Sequence, residues 1–308
     1  MAIPVVFDTD IGSDIDDTWA LAFLMRCPEL DVKLVTTDRG RPEYRAKLAC
    51  QILEAGGRQD LPVGLGTEWE GNTGQTRQVP CAEGYELSQY AGEIIEDGVQ
   101  AMIDTILGSP EPITVIAIGP LPTMRAALER EPKIAENARF IGMHGSLRLG
   151  HKRDRDNVIA EANVVNDPRA AQTVFDAPWP VTIAPLDTCG IVQLEGEKHQ
   201  AVVESDDLLA KAVMANYATW WMRGKGAESD PELWKRESSI LFDTVAVYLA
   251  FAEALLEMED LPVRVTDDGF TRIDNDAKVQ RCATAWKDLG AFEDLLVERI
   301  TSGGGQNG

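Results

Sequence analysis

VFDTDIGSDIDDTWAL, residues 6–21, is the stretch on which the reading of this 308-residue chain rests. The apolar run at residues 3–7 has the look of a buried strand, and it is followed by Asp8, Asp10, Asp14, Asp16 and Asp17 before Trp19-Ala20-Leu21 opens an apolar helical pattern. Acidic residues are 51 of 308, so ten positions should hold between one and two; residues 8–17 hold five. Two carboxylates ~4 Å apart repel by ~4 kcal/mol at an effective dielectric of ~20. A loop that gathers them is strained unless a cation neutralises it, and a bound divalent metal is the simplest reason for the excess. The order of acids is not that of an EF-hand, which needs a central Gly and a Glu at the twelfth loop position. A helix cap or a dipole partner explains one acid of the cluster, not all.

Outward from this loop, β-rich apolar runs at residues 3–7, 32–37, 113–118, 140–143 and 181–184 alternate with helical patterns at 43–54, 91–107, 121–130 and 167–175. Such alternation predicts an α/β fold of Rossmann-like βαβ units around a mainly parallel central sheet flanked by helices. Ligands in these sheets bind beyond the carboxyl ends of the strands, where the aspartates lie. After Pro185 the pattern turns helical, most clearly at 206–222 and 244–258, and a late hairpin is expected from 263–266 through Asp267-Asp268-Gly269 to 270–273. No linker or composition break divides the chain, so one domain is expected over residues 1–301, with 302–308 as a flexible tail.

The formal net charge of -22 disfavours nucleic acid and anionic membrane as partners. The N-terminus lacks a charged n-region and a long apolar h-region, and no apolar run approaches ~18 residues, so a cytoplasmic location is expected. Cys27, Cys50, Cys81, Cys189 and Cys282 form no CxxC pair and suggest neither a disulfide framework nor a thiolate zinc site.

With these residues in view, residues 6–21 resemble the N-terminal signature of the inosine-uridine-type nucleoside hydrolases, with two extra residues before Asp16-Asp17. Ile116-Ala117-Ile118-Gly119-Pro120-Leu121 is similar to the family's strand ending in Gly-Pro-Leu. Ala160-Glu161-Ala162-Asn163 is similar to its sugar-holding segment, and Leu241-Phe242-Asp243-Thr244 to its closing segment. The four landmarks follow one another in the family's order. The resemblance implies the nucleoside hydrolase fold, a small-molecule nucleoside or related ribosyl substrate, a bound Ca2+ and a homodimer or homotetramer engaged in purine or pyrimidine salvage. The reaction implied is hydrolysis of an N-glycosidic bond through an oxocarbenium-like transition state. Asp10 would be the general base toward the attacking water and a metal ligand, with Asp17, Asp243 and the Ile118 carbonyl completing the metal set. Asp16 would bind the ribose hydroxyls. Glu161 and Asn163 would hold the far edge of the sugar, joined by Asn157, and Asp8 would support the metal site from behind. Without the resemblance Asp243 reads as a helix N-cap, and Glu161 and Asn163 as ordinary polar residues.

Three departures fall around the sugar and at the leaving-group end. Where the family has Gly then Asn, a ribose contact, this chain has Gly40 then Arg41. Phe242 stands where many homologues carry His, and Thr67-Glu68-Trp69-Glu70-Gly71-Asn72 replaces a His-Gly turn. A departing base must be protonated or stacked. Trp69, Trp220 or Trp221 could stack on it, although packing is the commoner role of such rings. His144 follows a strand on the active-site side and reads as a supporting residue or as a substrate contact or acid, whereas His151 and His199 read as solvated. Arg41 suits a carboxylate or phosphate, or an ion pair with Glu43. Two other readings stand beside the hydrolase: a nucleoside- or ribose-binding relative that has lost turnover, and an aspartate-dependent phosphatase in which Asp8 or Asp10 attacks.

Overall fold

Strand β1 (Ile3–Thr9) is buried from Val5 onward, and its side chains alternate between two cores. Val5 and Phe7 belong to one core, with Trp19, Phe23, Leu48 and Tyr217; Val6 belongs to the other, with Val115, Met124 and Phe140. A strand covered on both faces reads as a continuous apolar run, which is why residues 3–7 show no polar alternation. The computed structural model describes residues 2–67, 76–152, 154–224 and 226–303, so Trp69 and residues 304–308 lie outside the described residues.

The remaining strands are β2 (Leu30–Thr37), β3 (Val63–Gly64), β4 (Ile94–Ile95), β5 (Ile113–Ala117), β6 (Ala138–Gly142), β7 (Val181–Ile183), β8 (Leu256–Val265), β9 (Thr271–Ile273) and β10 (Val279–Trp286). They form one ten-stranded sheet in the order β4-β3-β2-β1-β5-β6-β7-β10-β8-β9. Pairing is parallel from β4 through β7 to β10 and antiparallel among β10, β8 and β9. Chain order reverses between β1 and β5, the switch point at which α/β sheets open a crevice beyond their carboxyl ends. None of the described helices is long and apolar enough to cross a membrane.

The five early strands fall where the apolar runs place them, to within two residues at either end. Two helix expectations and the placement of one histidine need correction, whereas the late hairpin stands. The helix expected over 91–107 runs only over Gly98–Gly108: Ile94 and Ile95 pair with β3, and Asp97 caps the helix by accepting the Gln100 N–H. The helix expected over 244–258 ends at Leu249, and Leu256 opens β8 because pairing with β10 outweighs a helical pattern that local sequence alone cannot reject. The hairpin at 263–273 forms, with Val263 opposite Ile273 and Gly269 at φ +82°, but its first strand is also a partner of β10. His199 is fully buried rather than solvated. Its helix Gly196–Val203 packs against Leu208–Met222, and the ring meets Trp19 and Tyr217 while bonding the Trp234 carbonyl.

Candidate active site

Helix Asp16–Met25 opens directly on the aspartate loop, and Asp16 and Asp17 occupy its first turn. Neither caps it: the N-cap position is Ile15, which makes no side-chain cap bond. Asp243 likewise precedes helix Thr244–Leu249 without capping it. Carboxylate oxygens of Asp16, Asp17 and Asp243 lie within 4.8 Å of one another, and the three residues are 4%, 2% and 3% exposed. Burial, reinforced by the neighbouring aspartates, pushes all three carboxyls well above the usual range. The carboxyls of Asp16 and Asp243 share a hydrogen bond, and the Thr9 hydroxyl donates to Asp17 Oδ1 at 2.5 Å. Three acids aimed at one another in a buried site form a hard-oxygen donor set of the kind that takes calcium or magnesium. A divalent cation therefore fits these residues.

Asp10 follows the end of β1 and faces the same cavity, of about 650 Å³. Its Oδ2 accepts from Arg39 Nη1 at 3.1 Å, and both side chains are nearly buried. Arg39, Gly40 and Arg41 all have positive φ (56°, 57° and 50°), a conformation that costs non-glycine residues of order 1–3 kcal/mol each. Buried Arg45 offsets that strain. Its guanidinium donates to the carbonyls of Arg39, Gly40, Ile11 and Asp10, tying the end of β2 to the aspartate loop. Asp38 accepts from the Leu121 and Thr123 amides and the Thr123 hydroxyl, and holds Leu121 at φ 75°. Burial still raises the Asp38 carboxyl to about 6. Gly119 sits close to both, since a Cβ there would lie 3.2 Å from Asp10 and 3.1 Å from Asp38 and those side chains would have to shift by a few tenths of an ångström.

Across the cavity, Glu161 caps the short helix Ala162–Asn166 and accepts from the amides of Asn163, Val164 and Gly145. Burial raises its carboxyl to about 7 against the pull of those three bonds. Asn163 donates through Nδ2 to the carbonyls of Ile118, at 2.8 Å, and Met143, at 3.1 Å. A carbonyl has two lone pairs, so the bond from Asn163 leaves Ile118 with a second acceptor site. Phe242 lines the cavity beside Asp243.

Most of the other residues singled out from the sequence lie off the cavity. Asp8 is fully buried behind the cavity, with Oδ1 accepting from Thr36 at 2.5 Å and no partner for Oδ2 among the described residues. Burial and the nearby Asp38 push its carboxyl well up, and a phosphatase-like attack from Asp8 has no access to the cavity. Arg41 is exposed and off the cavity; Arg39, not picked out beforehand, takes the place at Asp10. Asn157 is exposed and bonds Asp154. His144 is buried among Phe140 and Phe175 and bonds the Gly119 carbonyl at 2.9 Å, and burial lowers its imidazole to about 4. His151, expected in solvent, is half-buried and lines the cavity, on a loop whose course no local pattern fixes.

The model of the inosine-uridine preferring nucleoside hydrolase family matches residues 5–289. The pyrimidine-specific ribonucleoside hydrolase RihA of Citrobacter koseri is 31% identical over 210 residues, which cover 64% of this chain and 64% of that protein. Its Salmonella arizonae namesake is 30% identical over 217 residues, covering 66% and 65%. The chain thus spans a little under two thirds of these relatives' length. Among solved structures, the plant nucleoside hydrolase PpNRh1 superposes with a TM-score of 0.80 at 24% identity, covering 98% of this chain and all of that one. The inosine-uridine preferring nucleoside hydrolase of Bacillus anthracis gives 0.74 at 16%, covering 97% and 99%. At these identities the two structures speak for the fold.

Proposed function

The chain belongs to the inosine-uridine preferring nucleoside hydrolase family, and from that premise we propose that it hydrolyses the N-glycosidic bond of a ribonucleoside in a calcium-dependent reaction. The observation that carries the reading is the convergence of buried Asp16, Asp17 and Asp243 with Asp10 on one cavity, opposite Glu161 and Asn163. Asp10, Asp17, Asp243 and the Ile118 carbonyl would hold the ion. Bound there, a calcium ion supplies positive charge that offsets the carboxylates and lowers the pKa of water.

Asp10 takes the proton from the attacking water as its oxygen bonds to C1′. Arg39 on Oδ2 and Arg45 on the backbone carbonyl fix the carboxylate's direction, so that little reorganisation is left to the reaction step. Asp16 accepts from the ribose hydroxyls. Glu161, held by three amides, and Asn163 grip the opposite edge of the sugar. The ring oxygen becomes cationic as the base departs, and the surrounding carboxylates stabilise that charge. The relatives' names place uridine and cytidine first among substrates to try.

Asp10→Asn tests the assignment. Loss of a general base costs ~10²–10⁴ in kcat, read as free base by chromatography. Full rate in the variant would refute the role of Asp10. Calcium and ribose binding by wild type without release of base would instead make the protein a binder.

A further inference from the structure

A nitrogen base leaves C1′ with the bonding electron pair, and a proton delivered to it as it goes makes it a better leaving group. The carboxylates described above gather at the sugar end, and two of the chain's three histidines are out of reach: His144 is sealed behind the Gly119 carbonyl and His199 lies in the core. His151 is placed differently. A second cavity, of about 420 Å³, adjoins the first, and His151, Phe242 and Asp14 line both. The outer cavity is walled by Trp220 and Trp221, flat apolar rings suited to a heterocycle. Two polar atoms on its wall residues, Trp220 Nε1 and Ser239 Oγ, are buried without a hydrogen-bond partner among the described residues. Lys152, which also lines this cavity, donates to Glu195 and Gln193.

Resting on the hydrolase reading above, we propose that His151 is a catalytic residue: the acid that protonates the leaving base at the junction of the two cavities. The C1′–N bond breaks, its electron pair stays on the base, and the imidazolium N–H passes its proton to that nitrogen. Water supplies the oxygen at C1′ and gives its proton to Asp10, so ribose and neutral base leave together. His151 recovers its proton from solvent and Asp10 gives its own up to solvent, so both return to their starting states.

The test compares His151→Ala and His151→Gln with wild type, all loaded with calcium, on uridine, inosine and p-nitrophenyl β-D-ribofuranoside. The nitrophenolate leaves without a proton, so its release does not need the acid. The proposal expects kcat/KM on the nucleosides to fall ~100-fold or more in both variants while the nitrophenyl riboside stays within about threefold. An equal fall on all three substrates, or no fall on the nucleosides, overturns the role of His151 and leaves the hydrolase reading standing. Wild type that cleaves the nitrophenyl riboside but no nucleoside also overturns it. Wild type that cleaves none of the three overturns both.

Discussion

Replacing Asp243 by Asn should make the protein more stable without metal and unable to use it. The carboxylate oxygens of Asp16, Asp17 and Asp243 lie within 4.8 Å of one another. At that separation and an effective dielectric of ~20, each ionised pair repels by about 3 kcal/mol. Proton sharing between Asp243 and Asp16 already relieves part of this, and an Asn amide N–H can donate to Asp16 in the same place. The variant should therefore gain about 1–3 kcal/mol in chelator, a rise in Tm of about 2–6 °C for a domain of this size. Wild type should gain about 2.7 kcal/mol from calcium at a hundred times its Kd. Asp243→Asn should lose most of that response because an anionic oxygen ligand is gone. Thermal unfolding followed by circular dichroism at pH 7.5, with chelator or with graded calcium, measures both effects. A variant that melts below wild type in chelator yet keeps the full calcium response would refute the idea that these acids are gathered for a cation.

Other consequences follow from the same geometry. Glu161 has its carboxyl raised to about 7 in the fold, against 4.5 as its ordinary value. A raised carboxyl favours the fold below the lower value and loses that contribution as pH climbs through the upper one, so metal-free protein should lose up to about 3 kcal/mol from this group between pH 4.5 and 7. Denaturant titrations across that range in chelator should slope downward, and Glu161→Gln should make the slope shallower, the raised aspartates supplying the rest; an unchanged slope removes Glu161 as a contributor. Arg45→Lys should cost about 2–4 kcal/mol, because an ammonium cannot reach all the carbonyls that the planar guanidinium holds and each buried orphan costs about 1–3 kcal/mol. Urea unfolding reads this directly, and a loss below 0.5 kcal/mol would mean that water or other groups satisfy the loop.

Much of the fold is legible in the sequence because strands buried on both faces leave unbroken apolar runs and the helices between them keep their own period. Two-residue strands such as Val63–Gly64 and Ile94–Ile95 carry no such signal; the first exists because β2 offers an edge to pair with, and the second because the first then offers its own. Thr244–Leu249 and Leu256–Val265 read as one helix since their apolar residues suit either period, and only the distant β10 decides between them. The aspartates announce themselves by number, a departure from composition that needs no knowledge of the fold. Arg39 and His151 do not. Arg39 reaches Asp10 through three left-handed residues fixed by Arg45, and His151 reaches the cavity on a loop after β6, so long-range contacts rather than local pattern place both.

The measurement that bears most directly on the central claim is release of ribose and free base from uridine, cytidine, inosine and adenosine by calcium-loaded protein, after chelation, and after calcium is restored. The account predicts release that stops on chelation and returns with calcium. Release indifferent to the chelator would contradict the metal-centred site, and no release from any nucleoside would contradict the hydrolase itself.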